Sequence, residues 1–390
     1  MKVLHVTPSF HPAYHFGGPI AALKGLCDNL PYEAGLSVRV LTTDTTGPRS
    51  NDRLEQAGFP ASMPAGYDVY YCKKTIGADF SLKLLKNLPS FVQWSDVIHL
   101  TGVYSFTTFP TLTLAHQYGK PVVWSPRGSL QRWDSARLDL RKDVWEKICR
   151  LLRSSSQTAF LFTSETERAE SLERIPVSRS FIVPHGVSIP APAGERAWKP
   201  EGELRILFLG RLHPVKALDR LIHALPLTDT RCRLTLAGPG TDDYARTLQS
   251  LVKQHKLEER VSFAGPVPEE KKARLFFEHD VCVLPSHSEN FGLVIAEALA
   301  HAVPVIASDG TPWGDVAARG CGIVTSNTPE ALAAAIDAIS EADTSGMGRA
   351  GRKWMEREFS WDTIARRTAD IYAAMGSTST ESKEGPEGPG

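Results

Sequence analysis

Lys2-Val-Leu-His-Val-Thr-Pro8 is a short apolar run closed by a proline, and it reads as a buried strand. The loop His15-Phe-Gly17-Gly18-Pro19 follows, then a helical pattern over 20–30 and a second strand over 36–42. Strand, loop, helix and strand within about 40 residues make a βαβ unit, which requires a parallel sheet. Strand-like runs at 96–100, 121–125, 160–163 and 181–183 extend it, so residues 1–183 are predicted to form a doubly wound α/β domain. Proline and glycine thicken across 184–200, the predicted linker. The pattern then restarts, with strands at 204–209, 233–237, 261–264, 281–284 and 303–307 and helices at 217–225 and 244–255. The fold class is therefore α/β, with two Rossmann-like domains whose parallel sheets face across a cleft. Ligands in such sheets bind outside the carboxyl ends of the strands. The second domain is placed at 201–356, a closing helix at 357–375 and a disordered tail at 376–390, where no apolar residue is left to bury.

Composition narrows the function classes. A chain of 390 residues is too long for one ordinary core and suits two domains. Lys plus Arg and Asp plus Glu both number 44, which argues against a nucleic-acid binder that relies on global positive charge. The balance hides an asymmetry: residues 1–200 carry 23 cations and 17 acids, the remaining 190 carry 21 and 27. No apolar run approaches the roughly 18–20 residues of a membrane helix, and Pro8 interrupts any signal-peptide core. The six cysteines are scattered without a C-x-x-C pair, which points to a reducing, cytoplasmic setting.

The chemistry concentrates in Pro285-Ser-His-Ser-Glu289-Asn290-Phe291-Gly292-Leu293-Val-Ile-Ala-Glu297. A strand ends at Leu284 and a helix is expected to begin near Phe291. Its first amides have no partner within the helix and sit at the positive end of the dipole, so they suit an anion. Gly292 lets a phosphate come close to the backbone. Glu297, read as about two turns into the helix, suits a vicinal diol such as ribose, while Glu289 faces the cleft ahead of it. A second strand end, Phe208-Leu-Gly210-Arg211-Leu-His-Pro-Val-Lys216, offers two cations that can reach one diphosphate. No D-x-D or histidine cluster suggests a metal site.

These two segments resemble retaining glycosyltransferases of family 4, the group 1 glycosyltransferases of GT-B fold. Glu289 and Glu297 have the spacing of that family's E-x7-E motif, and Gly210-Arg211-Leu-x-x-x-Lys216 is similar to its G-R-L-x-x-x-K-G segment, with Ala217 in place of the final glycine. The resemblance implies that Arg211 and Lys216 bind the donor diphosphate, that Glu289 and Glu297 hold the transferred sugar and the ribose, and that Glu289, Arg211 and Lys216 are catalytic. Donor contacts are further implied at Gly17, Gly18, Gly210, Gly238, Pro266, Val267 and the 290–293 segment (Asn290, Phe291, Gly292, Leu293), with a nucleotide-diphosphate sugar as co-substrate and no cofactor or metal. Asp96-Val-Ile-His99-Leu-Thr101-Gly102 departs from the family's D-x-x-H-x-H-G by carrying Thr101. Ser125-Pro-Arg127-Gly resembles a segment of members linked to surface polysaccharides, so His99, Thr101 and Arg127 become acceptor-side candidates. His99 alternatively completes the core, and Arg127 alternatively caps its strand. Pro184-His185-Gly186-Val187 resembles the P-N-G-V segment at the domain junction, and Phe359-Ser-Trp361-Asp-Thr-Ile resembles the family's closing helix, which implies that 357–375 crosses back to pack on the N-terminal domain.

The helix expected over 135–153 carries six Lys or Arg and an apolar side of Leu138, Val144, Trp145, Ile148, Cys149 and Leu152. A basic amphipathic helix can rest on an anionic membrane, though most such helices pack a core with a solvated face. The expected function is transfer of a sugar to a glycan or lipid-linked acceptor in cell-envelope or exopolysaccharide synthesis, by a cytoplasmic protein peripheral at the inner face of the plasma membrane. The rival readings are a sugar-nucleotide epimerase of the same fold and a catalytically silent sugar-nucleotide-binding partner.

Overall fold

In the computed structural model the chain divides into two units, Met1–Gly186 with Trp361–Gly390, and Val187–Ser360. The structure describes residues 1–13, 18–33, 35–47, 52–54, 59–77, 79–131, 140–191, 198–199, 202–240 and 242–381. The tail beyond Glu381 and Gly17 of the glycine pair lie outside them.

The first unit is an eight-stranded sheet of β1 (Lys2–Val6), β2 (Ser37–Thr43), β3 (Ala61–Ser62), β4 (Asp68–Cys72), β5 (Val97–Thr101), β6 (Val122–Ser125), β7 (Thr158–Phe162) and β8 (Arg179–Ile182). Its order is β3-β4-β2-β1-β5-β6-β7-β8, parallel except where β3 meets β4. Helices α1 (Gly18–Asn29), α2 (Leu82–Trp94), α3 (Thr108–Gln117), α4 (Leu140–Leu152) and α5 (Glu165–Arg174) connect the strands. Both faces are covered, so the central strands are buried along their length: Val3, Val97 and Val123 enter one core, Leu4, Ile98 and Trp124 the other.

The second unit is a six-stranded sheet of β9 (Leu204–Leu209), β10 (Cys232–Ala237), β11 (Val261–Gly265), β12 (Val281–Leu284), β13 (Val305–Ser308) and β14 (Gly322–Thr325). The order is β11-β10-β9-β12-β13-β14, all parallel. Its helices are α6 (Leu218–Ala224), α7 (Asp242–Gln254), α8 (Glu269–Phe277), α9 (Leu293–Ala300), α10 (Asp315–Ala318), α11 (Pro329–Glu341) and α12 (Thr344–Glu358). Strand order reverses between β9 and β12, and such switch points open the crevice in which doubly wound sheets hold ligands. Asp280, at the foot of β12, is fully buried and clamps Arg205 of β9, at 2.8 Å from Nη2 to Oδ1 and 3.0 Å from Nε to Oδ2. The clamp ties together the two strands that border the crevice.

The closing helix, α13 (Trp361–Glu381), belongs to the first unit. It buries Ile364, Ile371, Tyr372 and Met375 there. Trp361 is wedged between two glycines: a Cβ on Gly25 would fall 2.1 Å, and one on Gly186 2.3 Å, from its ring. The helix runs six residues past Met375, where the sequence reading ends the ordered chain. Gly376 lies against Met1 and Val97, so packing continues beyond the last large side chain.

Candidate functional site

Three strand ends of the second unit step across the sheet in one row. The Gly210 amide donates to the Ala237 carbonyl at 2.9 Å, and the Gly238 amide to the Gly265 carbonyl at 2.7 Å. A Cβ on Gly238 would sit 2.0 Å from the Gly210 carbonyl oxygen, so the row closes only with glycine there. Pro266, exposed, and Val267, half-buried against the core, follow directly at the end of β11.

Beyond Gly210, Arg211 is exposed and carries no hydrogen-bond or ion-pair partner among the described residues. The loop after it is pinned. The Leu212 amide donates to Pro239, and His213 Nδ1 accepts from the Val215 amide at 3.2 Å, capping a short turn over Pro214–Lys216. Burial, aided by Arg211 and Lys216, lowers the His213 pKa and so favours the neutral ring that can accept. Ala217 holds φ 49° and ψ 39°, the left-handed region that the family's glycine adopts without strain. The alanine keeps the left-handed turn at the steric cost of its Cβ.

The loop after β12 meets this turn. The His287 amide donates to the Val215 carbonyl at 2.8 Å, and Lys216 Nζ donates to Glu289 Oε1. Ser286 Oγ donates to the same oxygen at 2.9 Å, and the Glu289 amide bonds the Gly310 carbonyl at 3.0 Å. A cation and a carboxylate 73 residues apart are thus fixed together at the switch point. Asn290 is half-buried beside them. Gly292, at φ 73°, precedes α9, and a Cβ on it would come 3.0 Å from Leu284. Trp313 Nε1 donates to the Phe291 carbonyl, with the rings 5.2 Å apart, which sets where α9 starts. That start is Leu293, not Phe291, so Glu297 stands one turn into the helix, not two, and nearer its positive end.

Glu297 reveals a residue that the sequence reading missed. Lys272 of α8 donates to Glu297 Oε1 at 2.9 Å and pairs with Glu269 Oε2 at 2.8 Å. Burial pushes the Glu297 carboxyl up, against the pull of Lys272. Burial alone would lower the Lys272 pKa, but Glu297 and Glu269 outweigh it and raise it. In the sequence, Glu269-Glu270-Lys271-Lys272 looks like an ordinary solvated charge run.

The first unit arranges its candidates differently. Gly18 is the first residue of α1 and has open space where a side chain would stand. His99 is fully buried, with the Tyr372 hydroxyl 2.5 Å from Nδ1, Ser125 Oγ 2.8 Å from Nε2, and the His5 ring stacked at 4.6 Å. It is a satisfied core residue, and both ring nitrogens are spoken for. Thr101 Oγ1 is buried with no partner among the described residues. Arg127, at φ 55°, points inward: Nη1 lies 3.0 Å from His185 Nδ1, and Nε is buried without a partner among the described residues. It lines a cavity of about 20 Å³, room for one water, with Ser125, Thr163, His185 and Trp361. Glu167 holds the adjoining loop by accepting from the amides of Gly128 and Thr163.

Residues 195–354 match the family described as glycosyl transferases group 1. The chain carries a group 1 glycosyltransferase domain. The chain is 35% identical over 198 residues to D-inositol 3-phosphate glycosyltransferase of Streptomyces avermitilis, covering 47% of this chain and 42% of that protein. The chain thus spans less than half the length of that relative. It is 24% identical over 382 residues to GDP-mannose:cellobiosyl-diphosphopolyprenol alpha-mannosyltransferase of Xanthomonas oryzae, covering 95% and 96% of the two chains. In fold it matches Anabaena HepE, solved with UDP and glucose, at a TM-score of 0.71 and 18% identity, over 96% of this chain and 100% of that one. The expected GT-B fold class therefore holds.

Proposed function

We propose that the chain is a retaining, metal-independent glycosyltransferase that takes a nucleotide-diphosphate sugar as donor. The observation that carries this is the junction of Lys216 with Glu289 at the amino end of α9. It places cation, carboxylate and helix amides at one point of the switch crevice. Arg211, Lys216 and the amides of 291–293 stabilise the leaving diphosphate, which removes the need for a divalent ion. Donor entry exchanges the ion pair: Lys216 turns to the phosphate, and Glu289 accepts from hydroxyls of the transferred sugar. Glu297 accepts from the ribose diol. The leaving phosphate oxygen takes the acceptor's proton as the new bond forms on the same face, so no side chain acts as general base.

The Xanthomonas relative, aligned over 95% of this chain and named for transfer to a diphosphopolyprenol, supports a lipid-linked acceptor and a place in cell-envelope or exopolysaccharide synthesis. No described helix is long and apolar enough to cross a membrane. Helix α4 supports peripheral contact at the cytoplasmic face, because its solvent side is both apolar and basic.

The test is a panel of UDP-, GDP-, ADP- and dTDP-sugars, read by thermal stabilisation and by slow donor hydrolysis. One donor at a hundred times its Kd stabilises wild type by about 2.7 kcal/mol. Lys216→Ala weakens that binding about 10- to 100-fold, the loss of one charge-assisted contact. Glu289→Ala slows hydrolysis about 100-fold or more. Turnover of donor to an epimer without acceptor would make the chain an epimerase. Binding without turnover would make it a silent partner, and no binding at all would remove the donor site.

A further inference from the structure

We infer that Lys272 is a positioning residue that keeps Glu297 ionised and leaves one of its oxygens free for a nucleoside's ribose diol. The inference rests on the ribose role proposed for Glu297 and adds what makes that role work. Helix α8 turns one long side chain inward at this point. Lys272 is 22% exposed, while Glu269 on the same helix is 74% exposed and Arg274 is 82% exposed. Its ammonium sits between two carboxylates, 2.9 Å from Glu297 Oε1 and 2.8 Å from Glu269 Oε2. Glu297 Oε2 carries no partner among the described residues. Glu297 is only 16% exposed, and an enclosed carboxyl left to itself protonates. A protonated carboxyl offers a donor where two ribose hydroxyls need an acceptor.

The choice of lysine matters. An arginine fork would engage both carboxylate oxygens, whereas a single ammonium engages one. The groups that face the carboxyl are Lys272 and Glu269 from α8 and Cys282 from β12. Lys272 is the cation among them. Removing its charge leaves burial and Glu269 both favouring the protonated form.

The experiment uses the full chain and pairs UDP with 2′-deoxy-UDP, and GDP with 2′-deoxy-GDP, titrated calorimetrically from pH 6 to pH 9. The base that binds more tightly supplies the comparison. Wild type should bind the ribonucleotide at least about tenfold more tightly than its deoxy form at neutral pH. In Lys272→Met that ratio should fall to within about twofold at neutral pH and recover as the pH is raised, since Glu297 then ionises unaided. Lys272→Gln, which keeps a hydrogen-bond donor without the charge, should show the same pH-dependent recovery and serves if the methionine variant fails to fold. A wild type without the ratio would overturn the ribose role and this inference together. A wild-type ratio kept in both variants, with unchanged pH dependence, would overturn the role of Lys272 alone.

Discussion

His5, His99 and His185 sit in the first unit as neutral rings. Burial pushes His5 down to about 3, with Arg127 adding to the effect. His99 is lowered by burial, then by His5 and Arg127, and His185 by burial, then by Arg127. In the unfolded chain each ring takes a proton near pH ~6.5. Between roughly pH 3 and pH 6.5 the unfolded state therefore binds more protons, and stability falls as the pH falls through that window. Above it these rings contribute no slope. Each histidine that stays neutral adds about 1.4 kcal/mol per pH unit. Urea midpoints at pH 7.5, 6 and 5 should drop accordingly. His5→Phe, which keeps the stack on His99, should flatten the slope by one proton, and an unchanged slope would mean His5 is protonated in the fold. Legibility at this scale followed chemistry. Glu289 and Glu297 could be read because their spacing resembles a family motif within one short segment, whereas Lys272 pairs with Glu297 across 25 residues with no such motif to join them. His99 was ambiguous because its partners, Tyr372 and Ser125, are distant in the chain.

Among the elements, α4 departs most from its reading. The single apolar side expected of it divides in two. Trp145 stacks on Phe109 at 3.9 Å, and Cys149 is buried, so these face inward. Leu140, Val144, Ile148 and Leu151 lie outward, at 74%, 55%, 36% and 83% exposed. Leu138 lies outside the described residues. The helix's acids are taken up by Arg174, at 3.0 Å from Asp143 and 2.8 Å from Glu146, while Arg141, Lys142, Lys147 and Arg150 are exposed. An apolar stripe edged with cations suits an anionic bilayer. Vesicles of phosphatidylglycerol and phosphatidylcholine should sediment the protein, and phosphatidylcholine alone should not. Lys147→Glu should weaken binding about fivefold or more, at about 1 kcal/mol per cation near the surface. Val144→Glu with Leu151→Glu should abolish it, and equal sedimentation of this double variant would remove α4 from any such contact. The sequence could not sort inward from outward because the apolar arc, from Leu140 round to Cys149, covers about half the girth, and only the packing of Trp145 and Cys149 shows which end of it is buried. Strand β4 went unread because its apolar run, Val69-Tyr-Tyr-Cys72, is short and half tyrosine, although Val69, Tyr71 and Cys72 are buried. Strands β9 and β12, fully apolar or nearly so, fell where they were expected.

For the molecule as a whole, the two α/β units could be read from the residues, whereas the return of the closing helix to the first unit came from the family resemblance of Phe359-Ser-Trp361. Gly25 and Gly186, which leave room for the Trp361 indole, give that return its physical reason. A chain ending at Ser360 should keep the second unit, with its nucleotide-dependent melting shift, and lose the cooperative unfolding of the first. Were the first unit's transition retained, α13 would be dispensable to it. The arrangement also orders events during synthesis. The ribosome makes the first unit's strands early, yet Ile364, Ile371, Tyr372 and Met375 emerge only after the entire second unit has been translated. Until then the groove awaiting them is open and apolar, so the part of the protein made first is finished last. A prematurely terminated message would release a chain whose second unit is native and whose first is a ready substrate for chaperones and proteases.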